Sequence, residues 1–216
     1  MTDKTAPIAL EDRDRHGARL SSPSAARNRG PIMTALSARL PEGARVLEIA
    51  SGTGEHALAL VTHRPDLSWT PSDPDPQSRA SADAWAEDAQ GRMQPALDLD
   101  VCAQIWWKTV EPVDAMYCAN MIHIAPWAAA QGLFAGAAQL LSQNGALHLY
   151  GPYQEGEATA PSNLAFDASL KQRDPRWGVR PLADVDALAG EHGFVRAERV
   201  DMPSNNLLLT FQRGVA

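Results

Sequence analysis

The chain has 216 residues, of which 44% are hydrophobic and 21% are charged. This composition excludes a disordered, collagen-like or low-complexity polymer, and the length suits one α/β domain. No run approaches the roughly 18 uninterrupted apolar residues that a membrane span requires, and the N-terminus has no apolar stretch typical of a secretory signal. We therefore expect a soluble, cytoplasmic protein without a membrane partner.

The charge balance indicates the class of partner. The formal net charge is −7, from 19 basic and 26 acidic side chains. Because an acidic surface repels the phosphates of nucleic acids, we expect a small-molecule partner and no nucleic acid. Cys102 and Cys118 lie in apolar segments without Cys-x-x-Cys spacing, which indicates buried free thiols and no metal site. The oligomeric state is not apparent from the sequence.

The N-terminal region precedes the regular pattern. The first 20 residues are mostly polar and lack an apolar period, so we interpret residues 1–20 as a flexible arm and residues 21–216 as a single domain. Within that domain, Ile32, Leu36 and Leu40 recur at helical spacing. This spacing predicts one amphipathic helix ahead of the sheet.

Short apolar segments then alternate with helix-like segments. The predicted strands are 46–50, 67–70, 94–99, 113–120 and 146–150. The helices predicted between them are 56–62, 79–89, 102–110 and 127–141. Strands that alternate with helices predict a mainly parallel, doubly wound α/β sheet.

The pattern changes after the fifth predicted strand. Residues 151–180 lack a long period, so we interpret them as an inserted loop or lid region with one helix near 163–172, and connections of this length are usually functional. A helix over 182–192 precedes strands 194–200 and 207–213, whose short connection makes them antiparallel. The whole chain therefore predicts a Rossmann-like, seven-stranded sheet, mainly parallel, with an antiparallel C-terminal strand.

A glycine-rich turn joins the first predicted strand to its helix, in the sequence Glu48-Ile49-Ala50-Ser51-Gly52-Thr53-Gly54. Gly52 and Gly54 allow the backbone to approach a ligand closely, and the following helix offers free N–H groups. The glycines alone also satisfy the dinucleotide fingerprint Gly-x-Gly-x-x-Ala. A nicotinamide oxidoreductase is therefore an alternative at this point.

Three acidic residues favour a ligand without phosphate. Glu48 stands inside an apolar strand, where a carboxylate is costly unless a cation pairs with it. A ligand with an ammonium and a sulfonium group would tolerate it, whereas a pyrophosphate would not. Asp73, at the end of the next strand, is placed to accept from both ribose hydroxyls. Asp100, just past the third strand, is placed to accept from an adenine amino group, although Asp98 is also close enough.

The sequence resembles class I S-adenosylmethionine-dependent methyltransferases over nearly the full chain. The resemblance lies in the order of its features: the acid-plus-glycine turn, Asp73, Asp100 and the terminal hairpin. Ala50 departs from the pattern, because that family often has its first glycine there. A more specific resemblance is to the DUF938 group of methyltransferase-like proteins. It rests on segments that include Arg27-Asn28, Pro71-Ser72-Asp73, Asn120 to Ile124, Ser162-Asn163, Phe166-Asp167, Trp177-Gly178 with Arg180, and Pro203 with Asn205-Asn206.

The resemblance implies the cofactor S-adenosylmethionine (SAM), with S-adenosylhomocysteine (SAH) as product, and leaves the methyl acceptor undefined. Within it, Val101 would flank the adenine ring, and Asn120 would face the methionine part. Arg27 and Asn28 would close the site from the side of the first helix. The predicted cofactor residues are Arg27, Asn28, Glu48, Ala50, Gly52, Gly54, Asp73, Asp100, Val101 and Asn120.

Other residues are candidates for catalysis and substrate binding. His123 follows the fourth strand at the carboxyl edge of the sheet, where it either takes a proton from the nucleophile or packs as a buried imidazole. Tyr153 either orients a substrate or packs at the strand end. The predicted substrate-binding residues, which could equally belong to a solvated loop, are Asn163, Asp167, Trp177 and Arg180.

The sequence thus predicts a SAM-dependent methyltransferase that acts on a small-molecule nucleophile. The alternative is a non-catalytic SAM- or SAH-binding sensor or regulatory module. Both share the cofactor site and differ in residues 154–180, because an enzyme needs a closed acceptor pocket and a sensor does not. Oxygen, nitrogen, sulfur and carbon acceptors all stay open, as does the need for a general base.

Overall fold

The computed structural model describes residues 13–214. Its strands are β1 (Asp14–His16), β2 (Arg19–Ser21), β3 (Arg45–Ile49), β4 (Ser68–Ser72), β5 (Val113–Ala119), β6 (Leu141–Pro152), β7 (Phe194–Met202) and β8 (Asn206–Arg213). Its α-helices are α1 (Pro23–Ser37), α2 (Glu55–His63), α3 (Pro76–Ala86), α4 (Trp127–Leu140), α5 (Pro161–Arg173) and α6 (Leu182–Glu191).

The main sheet has the order β4-β3-β5-β6-β8-β7. Strands β4, β3, β5 and β6 run parallel to one another, and β8 is antiparallel to both β6 and β7. The predicted α/β class, the mainly parallel sheet and the antiparallel C-terminal strand are therefore confirmed. Within the described residues this sheet has six strands, so the predicted count of seven is wrong.

The missing strand is the one predicted over 94–99. This segment runs beside β4 and contacts it only through two isolated bridges, between Trp69 and Met93 and between Ser72 and Leu97. Pro71 of β4 lies between them and has no N–H to donate to this segment, and the N–H of Ala96 donates instead to the Asp83 side chain at 2.8 Å, so a continuous ladder cannot form. The helix predicted over 102–110 is also wrong, since only a short 3-10 turn, Trp106–Thr109, forms there.

Helices cover both faces of the sheet, and each face buries its own apolar cluster. Ile32, Leu36 and Leu60 from α1 and α2 pack on one face with Trp69. The opposite face is covered by α4 and α6, with large side chains that include Leu133, Phe134, Val185 and Phe211. Cys118 is buried as predicted, but Cys102 is exposed, so that part of the cysteine prediction is wrong.

Part of the predicted flexible arm is ordered. Strands β1 and β2 form an antiparallel hairpin, whereas residues 1–12 lie outside the described residues. The hairpin lies on α3, where the Leu20 backbone N–H donates to the Ser81 hydroxyl at 2.8 Å. The Trp85 indole N–H donates to the Leu20 carbonyl at 3.0 Å, and the Arg19 guanidinium lies 4.7 Å from the Trp85 ring centroid. These contacts fix a segment that the sequence pattern alone left without structure.

Helix α5 lies within the predicted insertion, close to the expected bounds. Among the helices of residues 13–214, none combines the length and the apolar composition that crossing a bilayer requires.

Candidate functional site

A cavity of about 580 Å³ opens at the carboxyl ends of β3 and β5. β3 lies between β4 and β5, so the chain leaves β3 toward one neighbour and returns beside the other. Ligands of open α/β sheets bind at such a switch point. The walls come from the glycine turn, the start of α1, the ends of β5 and β6, α5, and the turn between β7 and β8. The volume lies in the usual range for small-molecule sites, about 300 to 1,000 Å³.

The glycine turn forms one wall of the cavity through residues Ala50 to Thr53. Ala50 and Gly52 both have a left-handed backbone, with φ of 56° and 59°. Within residues 13–214, a Cβ added at Gly52 would approach only the Arg13 guanidinium, at 3.8 Å, so these residues leave room for a ligand at this backbone. Ala50 adopts the conformation that a glycine would favour, so it keeps the turn and adds a methyl group.

Gly54 has a different role from the one predicted. It does not line the cavity, and a Cβ on it would stand 2.7 Å from the Cα of Ala82 in α3. Its φ of 86° also favours glycine. Gly54 therefore allows α3 to pack closely against the turn, and its predicted contact with a cofactor stays a prediction.

Glu48 lies at the floor of the cavity and is 2% exposed. Its Oε2 accepts a hydrogen bond from the Trp69 indole at 3.0 Å. Burial penalises the charged form and raises the pKa of Glu48 to about 7. The site thus contains a buried carboxylate that lacks a cation among the described residues, which is the arrangement expected from the sequence.

Asp73 lies behind the glycine turn, at the end of β4. Its two oxygens accept from the backbone N–H groups of Gly52 and Asp75, at 3.0 Å and 2.9 Å. Burial raises the pKa of Asp73, although these two hydrogen bonds oppose the shift. Asp73 therefore holds the turn to the end of β4, and its predicted contact with a ribose stays a prediction.

Asp100 and Val101 are not among the residues that line the cavity, and their predicted contacts with an adenine stay predictions. Asp100 is exposed, and its Oδ1 accepts from the backbone N–H of Cys102 at 2.8 Å. Val101 is buried against α4, where a Cβ on Gly132 would stand 1.9 Å from its carbonyl oxygen. The segment before them reaches the carboxyl end of β4, where the Asp73 backbone N–H donates to the Leu97 carbonyl at 3.1 Å.

Arg27, Asn28 and Asn120 line the cavity opposite the glycine turn. The Asn28 side-chain oxygen lies 2.8 Å from Nε2 of His56, which donates because an amide oxygen only accepts. Burial lowers the pKa of His56 to about 4, so this imidazole is neutral at neutral pH. Asn120 has a left-handed backbone, with φ of 59°. Their contact with a cofactor stays a prediction, but the structure brings them to one cavity with Glu48.

His123 is fully buried and does not line the cavity. The backbone N–H of Arg180 donates to its Nδ1 at 3.2 Å, so the proton of the neutral ring is on Nε2. Burial lowers the pKa of His123 to about 3. In this arrangement the ring has no lone pair to offer a nucleophile, so the predicted role as a base is not supported.

Tyr153 packs beside His123. It is 1% exposed, and the two ring centroids lie 5.1 Å apart in an edge-to-face arrangement. Burial raises the pKa of Tyr153. Its hydroxyl has no hydrogen-bond partner among the described residues and does not reach the cavity. The packing interpretation therefore describes Tyr153 better than the catalytic one.

Three of the four predicted substrate residues lie outside the cavity lining, namely Asp167, Trp177 and Arg180. The Arg180 guanidinium donates to the carbonyls of Ile122 (2.8 Å), Ala125 (2.8 Å) and Arg176 (2.9 Å). Asp167 accepts from the Val179 backbone N–H at 2.9 Å and from Lys171 at 2.6 Å. Trp177 is half-buried within the same segment. We call residues 122–125, Asp167 and 176–180 the His123–Arg180 lock, because their polar groups bind one another.

Asn163 does line the cavity. Its amide donates to the carbonyls of Tyr153 at 3.2 Å and Asn205 at 3.0 Å, which holds α5 to the turn between β7 and β8. Sequence reasoning assigned no role to several other lining residues: Arg13, Ser24, Ser162, Phe166, Ser204 and Asn206. The sequence did contain an indication that Ser162, Phe166 and Asn206 belong to the site, because each lies in a segment that carried the family resemblance. Arg13 carried no such signal.

Solved structures define the class of fold. The protein is similar to an O-methyltransferase family protein from Burkholderia thailandensis (TM-score 0.75, 19% identity, 89% of this chain and 58% of that chain). It is also similar to CalO1, a methyltransferase in calicheamicin biosynthesis in its SAH-bound form (TM-score 0.73, 16% identity, 88% and 54%). A third is an O-methyltransferase family 2 protein from Planctomyces limnophilus in complex with apigenin (TM-score 0.73, 17% identity, 88% and 60%).

The protein therefore has a methyltransferase fold, and it spans between 54% and 60% of the length of these three structures. Residues 19–213 match the family described as "Protein of unknown function (DUF938)". The chain belongs to this family, as the sequence motifs indicated.

Proposed function

We propose that the cavity binds SAM and that the protein transfers its methyl group to a small-molecule nucleophile. The observation that carries this proposal is Glu48, a buried carboxylate at the floor of a cavity formed by the glycine turn, in a fold shared with methyltransferases. The three similar structures, at 16 to 19% identity, support the fold alone.

The electrostatics of Glu48 fit SAM better than a dinucleotide. Burial raises the pKa of Glu48 to about 7, so ionising this carboxylate costs free energy in the folded protein. A ligand with a sulfonium and an ammonium group would stabilise the ionised form, because a nearby opposite charge favours it. A pyrophosphate would instead add a like charge, which disfavours NAD.

The residues of the chain would act by holding and orienting. When bound, SAM supplies a methyl group on a sulfonium, which is already a good leaving group. Alignment of two reactants in a dry site can lower a barrier by about 7 to 11 kcal/mol, whereas a general base adds about 10²- to 10⁴-fold. Ile124, Pro152 and Phe166 supply apolar surface to the cavity. We propose that they position the acceptor and exclude water, without proton transfer to His123.

The enzyme is a better proposal than the sensor because the inserted region forms part of the wall. Ser162, Asn163 and Phe166 of α5 line the same cavity as Glu48 and the glycine turn. A closed acceptor pocket requires such a wall, whereas a sensor needs only a surface that moves.

Isothermal calorimetry with SAM, SAH and NAD, followed by a tritiated-methyl transfer assay against fractionated cell extract, tests the proposal. We expect binding of SAM and SAH, no binding of NAD, and label in a low-molecular-mass fraction. The variant Glu48→Ala should lose both binding and label. SAM binding without label in any fraction would favour the sensor, and failure to bind SAM would exclude both.

A further inference from the structure

Arg13 brings a guanidinium to the cavity from outside the main sheet. It immediately precedes β1 and lines the cavity beside the glycine turn. Its Nη2 lies 3.8 Å from the point where a Cβ on Gly52 would stand, and its Nη1 donates to the Ser78 hydroxyl at 3.2 Å. The guanidinium therefore lies next to the backbone of Gly52. Asp73, which accepts from the Gly52 N–H, lies on the same side of the site.

The hairpin that carries Arg13 is held in place by other residues. The Leu20 backbone N–H donates to the Ser81 hydroxyl, the Trp85 indole N–H donates to the Leu20 carbonyl, and the Arg19 guanidinium donates to the Ala84 carbonyl at 3.0 Å. Arg13 adds only its single bond to Ser78. Removing the Arg13 side chain should therefore leave the hairpin docked, so the side chain is available for a role in binding.

We propose that Arg13 is a ligand-recognition residue, delivered by the β1–β2 hairpin to the adenosine end of the site, where it donates to the ribose oxygens of the ligand. This inference rests on the proposed SAM binding.

The surrounding charges select the kind of group that Arg13 would meet. Its charge acts on Asp73 and lowers the pKa of that carboxyl, against the larger effect of burial, so the two groups are close enough to interact. Because Asp73 carries the opposite charge on the same side of the site, a ligand group here would meet hydrogen-bond donors and an acceptor together. A free carboxylate prefers a net positive site, whereas a vicinal diol accepts from a guanidinium and donates to a carboxylate. This favours the ribose over the amino-acid end of SAM.

A matched pair of variants separates recognition from hairpin docking. Arg15, in β1, is exposed and donates to the Gln77 side chain of α3 at 3.2 Å, so it resembles Arg13 in its bond to α3 but does not line the cavity. Calorimetry on the parent chain, Arg13→Ala and Arg15→Ala would use SAM, methylthioadenosine and the deoxyribose analogue of methylthioadenosine. Methylthioadenosine retains the ribose and lacks the amino-acid carboxylate and ammonium.

We expect Arg13→Ala to weaken SAM and methylthioadenosine alike, by roughly 10- to 100-fold, as for loss of a charged hydrogen bond. Arg15→Ala should stay within about twofold, and the effect of Arg13→Ala should shrink for the deoxyribose analogue. A loss for SAM without a loss for methylthioadenosine would place Arg13 at the amino-acid end and overturn the inference. Equal losses in both variants would assign the effect to hairpin docking and overturn it too.

Measurements on the parent chain show whether a negative result concerns Arg13 alone or the proposed function as a whole. If the parent binds SAM and Arg13→Ala binds it equally well, the inference about Arg13 is wrong and the proposed function stands. If the parent binds neither SAM nor methylthioadenosine, the proposed function is wrong, and the role of Arg13 fails with it.

Discussion

Two regions at the carboxyl edge of the sheet differ in how their polar groups are paired. One is the His123–Arg180 lock, and the other is the glycine-turn wall, by which we mean Glu48 and residues 50–53. In the wall, the Glu48 carboxylate is buried with one indole donor and lacks a cationic partner among the described residues. In the lock, Arg180 donates to three carbonyls, and Asp167 accepts from a backbone N–H and a lysine. The wall therefore offers a carboxylate to a charged ligand, whereas Arg180 and Asp167 of the lock are already paired within the protein. In the lock, the His123 Nε2 has no hydrogen-bond partner among the described residues.

Backbone strain follows the same division. Ala50 and Asn120, which line the cavity, have left-handed backbones, as does Ser204 on the far wall. Non-glycine residues in this conformation cost of order 1 kcal/mol or more, and such strain concentrates at binding sites. The non-glycine residues of the lock contain no such outlier in the part of the chain that the structure describes. The comparison therefore predicts that relieving the buried charge or the strain of the wall raises stability, and that changing Glu48 also weakens binding, whereas variants of the lock lower stability and leave binding unchanged.

The largest expected effect is the contribution of Glu48 to the pH dependence of the free energy of unfolding. Its pKa is raised from 4.5 to about 7 in the folded protein. The folded state therefore holds this proton more tightly than the unfolded chain, and the contribution to stability is present below pH 4.5 and lost as the pH rises through 7. The difference corresponds to about 3 kcal/mol. Glu48→Gln should remove this loss, so that urea denaturation finds the variant more stable than the parent at pH 8 and similar to it at pH 4.

Glu157→Gln removes an exposed carboxylate and provides the control, which should keep the pH dependence of the parent. The gain in stability should accompany weaker SAM binding, because the variant cannot supply a negative charge to the sulfonium. An unchanged pH dependence in Glu48→Gln would mean that Glu48 is not the buried, raised-pKa group of the wall.

Arg180→Ala should give the largest loss of stability within the lock. The change leaves three carbonyls without their donor and removes the contact of the guanidinium with the Trp127 ring, whose centroid lies 5.4 Å away. We expect a decrease of about 2 kcal/mol in the free energy of unfolding, with partial solvent access to the guanidinium taken into account. Urea denaturation measures the loss, and SAM affinity should stay within about twofold while the variant is folded.

Arg176→Ala is the matched control, because the Arg176 side chain is exposed and its ion pair with Asp174 is local. This variant should change stability by less than about 0.5 kcal/mol. A large loss of SAM affinity in Arg180→Ala, with stability unchanged, would return Arg180 to the binding role that the sequence indicated.

The wall was predictable from the sequence because its signals are local. Glu48, Gly52 and the strand–turn–helix order stand within a few residues of one another, so spacing alone carries the geometry. The pairing of the segment before Asp100 was less predictable, because Pro71 of β4 cannot donate to it and only isolated bridges join the two. The interactions of Arg180 join segments more than 50 residues apart, and a single sequence contains no signal for them.

Ala50→Gly should have a smaller effect, in the stabilising direction. Glycine relieves the strain at φ of 56°, but it also gives the unfolded chain more freedom. We expect a net gain of about 1 kcal/mol in the free energy of unfolding, measured by urea denaturation. Ala50→Val is the opposing control, since a β-branched side chain is less tolerant of this conformation and should lower stability. A loss of stability in Ala50→Gly would contradict the strain assigned to the wall.

The smallest expected effect concerns His123, whose ring should not change its protonation state near neutral pH. Because its Nδ1 accepts from Arg180 and its pKa is lowered to about 3, the ring should stay neutral with its proton on Nε2 from about pH 5 to about pH 9. Long-range nitrogen–proton NMR spectra distinguish the two neutral tautomers and the charged ring, with the exposed His63 as a reference resonance. His123→Asn, whose amide oxygen can still accept from Arg180, should likewise add no inflection to the pH profile of methyl transfer. An Nδ1-protonated ring, or a kinetic inflection that disappears in His123→Asn, would move His123 from the lock to the reacting groups and restore it as the base.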